Sequence, residues 1–124
     1  RITGRTEVVV GRAVHPEYRQ VARTYTAQVG LVFREIPFTE AGVTDRDAVT
    51  RALGSQTACL VVQYPNFFGG VEELVPLAEA AHAVGALLVV CVAEPIALGL
   101  SAVPYLNEPW YCCAEPNPEQ LRIV

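Results

Sequence analysis

Four short apolar runs alternate with three segments of helical period, and this alternation limits the fold more than any other feature of the chain. The runs are "EVVV" (7–10), "LVFREI" (31–36), "ACLVVQY" (58–64) and "ALLVVCV" (86–92). Apolar runs of this length between turn residues read as strands. Between the first two lies "HPEYRQVARTYTAQVG" (15–30). Pro16 suits the first helical position, Glu17 the positive helix start and Gly30 the residue past the end. Tyr18, Val21, Ala22, Tyr25 and Val29 share one face of that helix. A second helix is expected in "TDRDAVTRALG" (44–54), with Thr44 as N-cap and Asp47 as a short-armed capping-box partner. Its apolar stripe is Ala48, Val49, Ala52 and Leu53, and Gly54 closes it. The third falls in "VEELVPLAEAAHAVG" (71–85), where Leu74, Leu77, Ala78, Ala81 and Val84 line up. Pro76 requires either a start near Glu73, which puts it in the first turn, or a kink.

Strands alternating with helices build right-handed βαβ units on a parallel sheet. The expected class is therefore α/β: three layers around a mostly parallel sheet. The third and fourth runs are apolar on both faces, as central parallel strands are. The second carries Arg34 and Glu35, which suits an edge. The simplest order is 2-1-3-4. It leaves the fourth run as an edge without charge or proline to protect it, so the isolated chain is expected to self-associate. From Ser101 the alternation stops. Residues 101–124 hold four prolines, one tryptophan and two adjacent cysteines. They read as an irregular tail after a partial domain (1–100).

Composition narrows the function. With 52% apolar and 18% charged residues, the 124-residue chain suits one buried core rather than disorder. A net charge of −4 without a basic stripe argues against nucleic acid. The longest apolar run is too short to span a bilayer, and the start has no signal-peptide pattern. Cys59 and Cys91 sit inside apolar runs, where cysteine acts as a small hydrophobe. Cys112 and Cys113 are adjacent, and no C-x-x-C spacing exists, which argues against zinc. The usage fits a reducing cytoplasm. The chain has no methionine, so it is expected to be a piece of something larger. It also has no lysine, so it supplies no catalytic residue for Schiff-base chemistry.

In open α/β sheets, ligands bind beyond the carboxyl ends of the strands, where the strand order reverses. For order 2-1-3-4 that point lies between the first and third strands. "GRAVHPE" (11–17), "QYPNFFGG" (63–70) and "AEPIALGL" (93–100) leave strand ends on that side. They would carry His15, Asn66 and Glu94 toward one mouth. Each residue has a plainer reading. His15 before Pro16 is placed to cap a helix, Asn66 after Pro65 is a common turn pairing, and Phe67 and Phe68 are suited to packing. Glu94, between a buried strand and a proline, is the hardest to explain by structure alone. His82 near a helix C-terminus is favoured there by the dipole. Gly69-Gly70 fits a tight turn but completes neither a P-loop nor a dinucleotide fingerprint.

"RAVHPEYRQVARTY", "VVQYPNFFGGVEELVPLAEAAHAVGALLVV" and "AEPIALGL" together resemble glycine dehydrogenase (decarboxylating), and more narrowly subunit 1 of the two-subunit P-protein of the glycine cleavage system. The similarity covers roughly residues 5–100, and "QYPNFFG" is its most specific part. The resemblance implies part of the large domain of a fold type I, pyridoxal-phosphate-dependent transferase. It implies decarboxylation of glycine and transfer of the aminomethyl group to the lipoyl arm of the H-protein. The implied partners are glycine dehydrogenase subunit 2, expected to carry the Schiff-base lysine, and the lipoylated H-protein. In that fold an asparagine often stands near the cofactor's phenolic oxygen and an aspartate against its pyridine nitrogen. Asn66 and Glu94 stand in similar places, Glu94 on an arm one methylene longer. His15, Asn66 and Glu94 are thus cofactor-binding candidates, or vestiges of such a site. The family continues after "LGL" differently, so the chain is expected to be a fragment and inactive alone. Two alternatives remain: a fragment of another fold type I enzyme, such as an aminotransferase or desulfurase, and a non-catalytic flavodoxin-like binding module. A receiver-type module would want an acidic cluster after the first strand, where this chain has Gly11-Arg12-Ala13.

Overall fold

Three consecutive valines, Val8, Val9 and Val10, are all buried, although alternate residues of a strand point to opposite faces. Apolar material therefore covers both sides of the first strand. The structure is a computed structural model and describes residues 3–93 and 110–112. The elements run β1 (Glu7–Gly11), α1 (Pro16–Gln28), β2 (Val32–Ile36), α2 (Arg46–Ala52), β3 (Thr57–Gln63), α3 (Leu74–Ala83), β4 (Leu87–Cys91) and β5 (Trp110–Cys112). The sheet order is β2-β1-β3-β4-β5, and every pairing is parallel. The expected 2-1-3-4 core is present, with β2 at one edge. The opposite edge differs from expectation. Part of the segment read as irregular forms β5, which pairs Leu88 with Trp110 and Val90 with Cys112, so β4 is not left open.

One face of the sheet presents Val9, Ile36, Leu60, Val62, Leu88 and Val90 to Ala48 and Val49 of α2 and to Leu77, Ala78 and Ala81 of α3. Burying a side chain such as Leu60 or Leu88 contributes about 2 kcal/mol, several times a surface ion pair, so this layer dominates stability. Both predicted helical stripes face it. The other face carries a smaller cluster of Val8, Val10 and Val14, with Phe33, Cys59 and Val61 beside it.

Helix α1 departs from expectation. Its predicted apolar face is in solvent: Tyr18, Val21, Tyr25 and Val29 are all exposed, and no α1 residue is buried. The half-buried residues are Arg19, Ala22 and Thr26. The side of α1 that lies toward β2 is polar: Glu35 on the edge strand accepts from Arg19 and Arg23, both at 2.9 Å. The α2 cap is shifted by one residue. Asp45, not Thr44, is the N-cap, and its side chain accepts from the Ala48 amide at 3.0 Å. Thr44 is bridged to Phe38 and engaged elsewhere. Helix α3 begins at Leu74 with Glu73 as N-cap, so Pro76 lies in the first turn, where its missing N–H costs nothing. His82 is half-buried in the last turn of α3.

Candidate functional site

Strand order reverses between β1 and β3, and the chains leaving them are tied together at once. The His15 amide donates to Gln63 Oε1 at 2.8 Å, and the Phe67 amide donates to the Ala13 carbonyl at 2.8 Å. The Phe67 ring meets the His15 ring edge-on at 5.0 Å between centroids. Tyr18 touches the other side of His15 at 5.1 Å, and Phe68 continues the row to Phe67 at 5.5 Å and Phe38 at 4.8 Å. Phe38, Phe67 and Phe68 are exposed, so these aromatics rim the mouth rather than fill the core.

His15 is the N-cap of α1. Its Nδ1 accepts from the Glu17 amide at 3.2 Å. The neutral ring therefore carries its proton on Nε2, the tautomer that a cap of this kind requires. Asn66 is buried, and every hydrogen-bonding position of its side chain is filled. Nδ2 donates to the Gly42 carbonyl at 2.7 Å and to Glu72 Oε1 at 2.9 Å. Oδ1 accepts from the Phe68 amide at 3.0 Å and the Gly70 amide at 2.8 Å. This is the side-chain geometry of the turn reading. Gly69 adopts φ 79°, and the Tyr64-Pro65 peptide is cis. Glu94, the third candidate, lies outside the described residues, so the structure brings together His15 and the Asn66 loop.

The family model for "Glycine cleavage system P-protein" matches residues 2–106. This chain belongs to the glycine cleavage system P-protein family. It is 46% identical over 114 residues to the probable glycine dehydrogenase (decarboxylating) subunit 1 of Desulforamulus reducens, covering 92% of this chain and 24% of that protein. Among solved structures it resembles a glycine decarboxylase (P-protein) of the glycine cleavage system in inhibitor-bound form. That likeness has a TM-score of 0.67 and 44% identity, over 73% of this chain and 20% of the other. Aspartate aminotransferase from Thermus thermophilus with maleate follows at TM-score 0.60 and 30% identity, over 71% of this chain and 24% of that one. The sheet thus has the fold of the fold type I proteins. The chain spans about a quarter of the length of the relatives it matches.

The P-protein match includes Glu72, which sequence reasoning passed over, and Thr44, which it read only as an N-cap. Glu72 is buried, and it accepts from the Thr44 amide at 3.1 and 3.0 Å, from Thr44 Oγ1 at 3.0 Å and from Asn66 Nδ2. Thr44 itself stands over the end of β1: a Cβ on Gly11 would lie 3.3 Å from its hydroxyl. The signal available was slight. Glu72 follows the Gly-Gly pair and precedes a helix, where a carboxylate reads as favoured by the dipole. Thr44 lies 28 residues upstream, and no local spacing pairs the two.

Proposed function

We propose that the chain is a segment of subunit 1 of a two-chain glycine decarboxylase. The complete enzyme would remove carbon dioxide from glycine and pass the aminomethyl group to the lipoyl arm of an H-protein, in the cytoplasm. The observation that carries this reading is the joining of the β1 and β3 exits through His15, Gln63 and Phe67, in a chain of P-protein sequence. The family's cofactor, pyridoxal phosphate, supplies when bound the electron sink that lets carbon dioxide leave.

The residues present fit the cofactor in part. His15 offers a ring at the mouth and an Nε2–H with no partner among the described residues. Asn66 offers no free donor or acceptor, so its contribution is to hold the loop against His15. Glu94 would set a carboxylate against the pyridine nitrogen. The chain has no lysine, and the resemblance to subunit 1 of a two-chain enzyme favours subunit 2 as the carrier of the Schiff-base lysine.

The test is exchange of labelled bicarbonate into glycine in the presence of lipoylated H-protein. The 124-residue chain alone is expected to give no exchange above the free-cofactor background. In the complete two-chain enzyme, His15→Ala and Glu94→Ala should each lower exchange at least about tenfold and weaken cofactor retention. Exchange by the chain alone, or full retention and exchange in both variants, would overturn the reading.

A further inference from the structure

Three donors make four hydrogen bonds to the buried Glu72 carboxylate, all from uncharged groups: the Thr44 amide on both oxygens, the Thr44 hydroxyl and the Asn66 amide. No cation among the described residues pairs with it, and Arg46 nearby is engaged with Glu73 instead. A carboxylate is acceptor-only on both oxygens, so it matches a cluster made entirely of donors. Burying its charge is costly, and a turn by itself does not require it. What the carboxylate accomplishes is mechanical. Thr44 follows β2 and rests over the last residue of β1. Asn66 follows β3 and holds the Phe68 and Gly70 amides, while Phe67, between Asn66 and Phe68, reaches Ala13 and the His15 ring.

We propose that Glu72 is the positioning residue of the mouth: it joins the exits of β2 and β3 and, through Asn66, sets Phe67 against His15 at the exit of β1. The part about a cofactor rests on the function proposed above; the clamp itself does not. The readout is hydrogen exchange at the Phe68 and Gly70 amides in the 124-residue chain, referenced to the Leu60 and Leu88 amides of the central strands. Glu72→Ala should raise exchange at Phe68 and Gly70 at least about tenfold while the reference amides hold. Glu72→Gln keeps a carbonyl oxygen where Oε1 accepts three of the bonds, so its rise should stay below about threefold. Glu72→Asp, which keeps the charge but loses reach, should resemble alanine; it decides the matter where the alanine variant does not fold. Wild-type exchange at Phe68 and Gly70 in Glu72→Asp would overturn the proposal. So would a rise that merely tracks the reference amides. The same variants in the complete two-chain enzyme should lose pyridoxal phosphate more readily in the same order, alanine above glutamine. A broken clamp with unchanged cofactor retention would support the positioning role and overturn the cofactor reading of the mouth.

Discussion

At Gly70 a Cβ would stand 3.0 Å from Asn66 Nδ2 and 3.1 Å from Oδ1, closer than carbon tolerates without movement. The neighbouring Gly69 meets nothing within 4 Å, yet its φ of 79° is in the left-handed region. The two glycines are therefore needed for different reasons. Gly69→Ala should cost about 1 kcal/mol from backbone strain alone. Gly70→Ala should cost about 2 kcal/mol, because Asn66 must shift and leave some of its bonds unmade. Urea denaturation of both single variants checks the order, and equal small losses would show that Asn66 gives way freely. Cys59 carries a separate signature. Burial pushes its thiol up to about 11 from 9.0, because the thiolate is poorly solvated beside Val8 and Val10. With the folded value raised, the unfolded chain loses its proton first as pH rises. This part of the stability is full below pH 9 and falls as pH climbs toward 11, by up to about 3 kcal/mol. Cys59→Ala should flatten that segment of the stability profile between those values, measured by urea midpoints.

Among the elements, α2 shows how a tertiary contact reassigns a local motif. Thr44 and Asp47 have capping-box spacing, but the Thr44 amide and hydroxyl are both given to Glu72. Asp45, one residue on, takes the cap. Asp45→Ala should therefore cost about 1 kcal/mol, the usual value of an N-cap. Thr44→Val should cost about 1–2 kcal/mol for a different reason, because a buried carboxylate loses a hydroxyl donor. A double variant of Glu72→Ala with each of these tests the assignment by thermal denaturation. Thr44→Val should couple to Glu72, and Asp45→Ala should be additive with it. Helix α1 makes a related point. Its apolar stripe is genuine in sequence, but Arg19 and Arg23 pair with Glu35 on the side toward β2, and Tyr18, Val21, Tyr25 and Val29 lie outward. Arg23 also lies over the Phe33 ring at 5.2 Å, which anchors the same face.

For the whole molecule, the reason to expect self-association has moved. It does not rest on β4, which β5 borders, but on the apolar side chains of α1 and Val32, which are in solvent. Light scattering at high concentration should detect association of the chain, and Val21→Arg with Tyr25→Glu should reduce it. A monomer at all concentrations would count against this surface. No helix among the described residues is long and apolar enough to cross a membrane. The sheet is stitched at its amino end as well. Arg5 donates to the carbonyls of Thr57 at 2.9 Å and Val84 at 2.7 Å, which ties the entry of β1 to β3 and the end of α3.

Periodicity alone determined the four-strand order, the edge position of β2 and the buried stripes of α2 and α3. These follow from how apolar residues repeat within a dozen positions, and burial of Val9, Leu60 and Leu88 is strong enough to enforce them. The resemblance carried by "QYPNFFG" likewise identified the family without coordinates. His15 as a cap and Asn66 as a turn residue were both legible from their prolines, Pro16 and Pro65. The tertiary structure decided the rest. The stripe of α1 faces outward where Arg19 and Arg23 meet Glu35 of another element, and Thr44 is taken from the α2 cap by Glu72, 28 positions beyond it. It also settled that Asn66 spends its whole hydrogen-bonding capacity within the chain, since its partners include Gly42, 24 residues upstream. Local pattern records which residues want burial or a cap. Partners that meet only after the sheet has closed decide which of them obtain it.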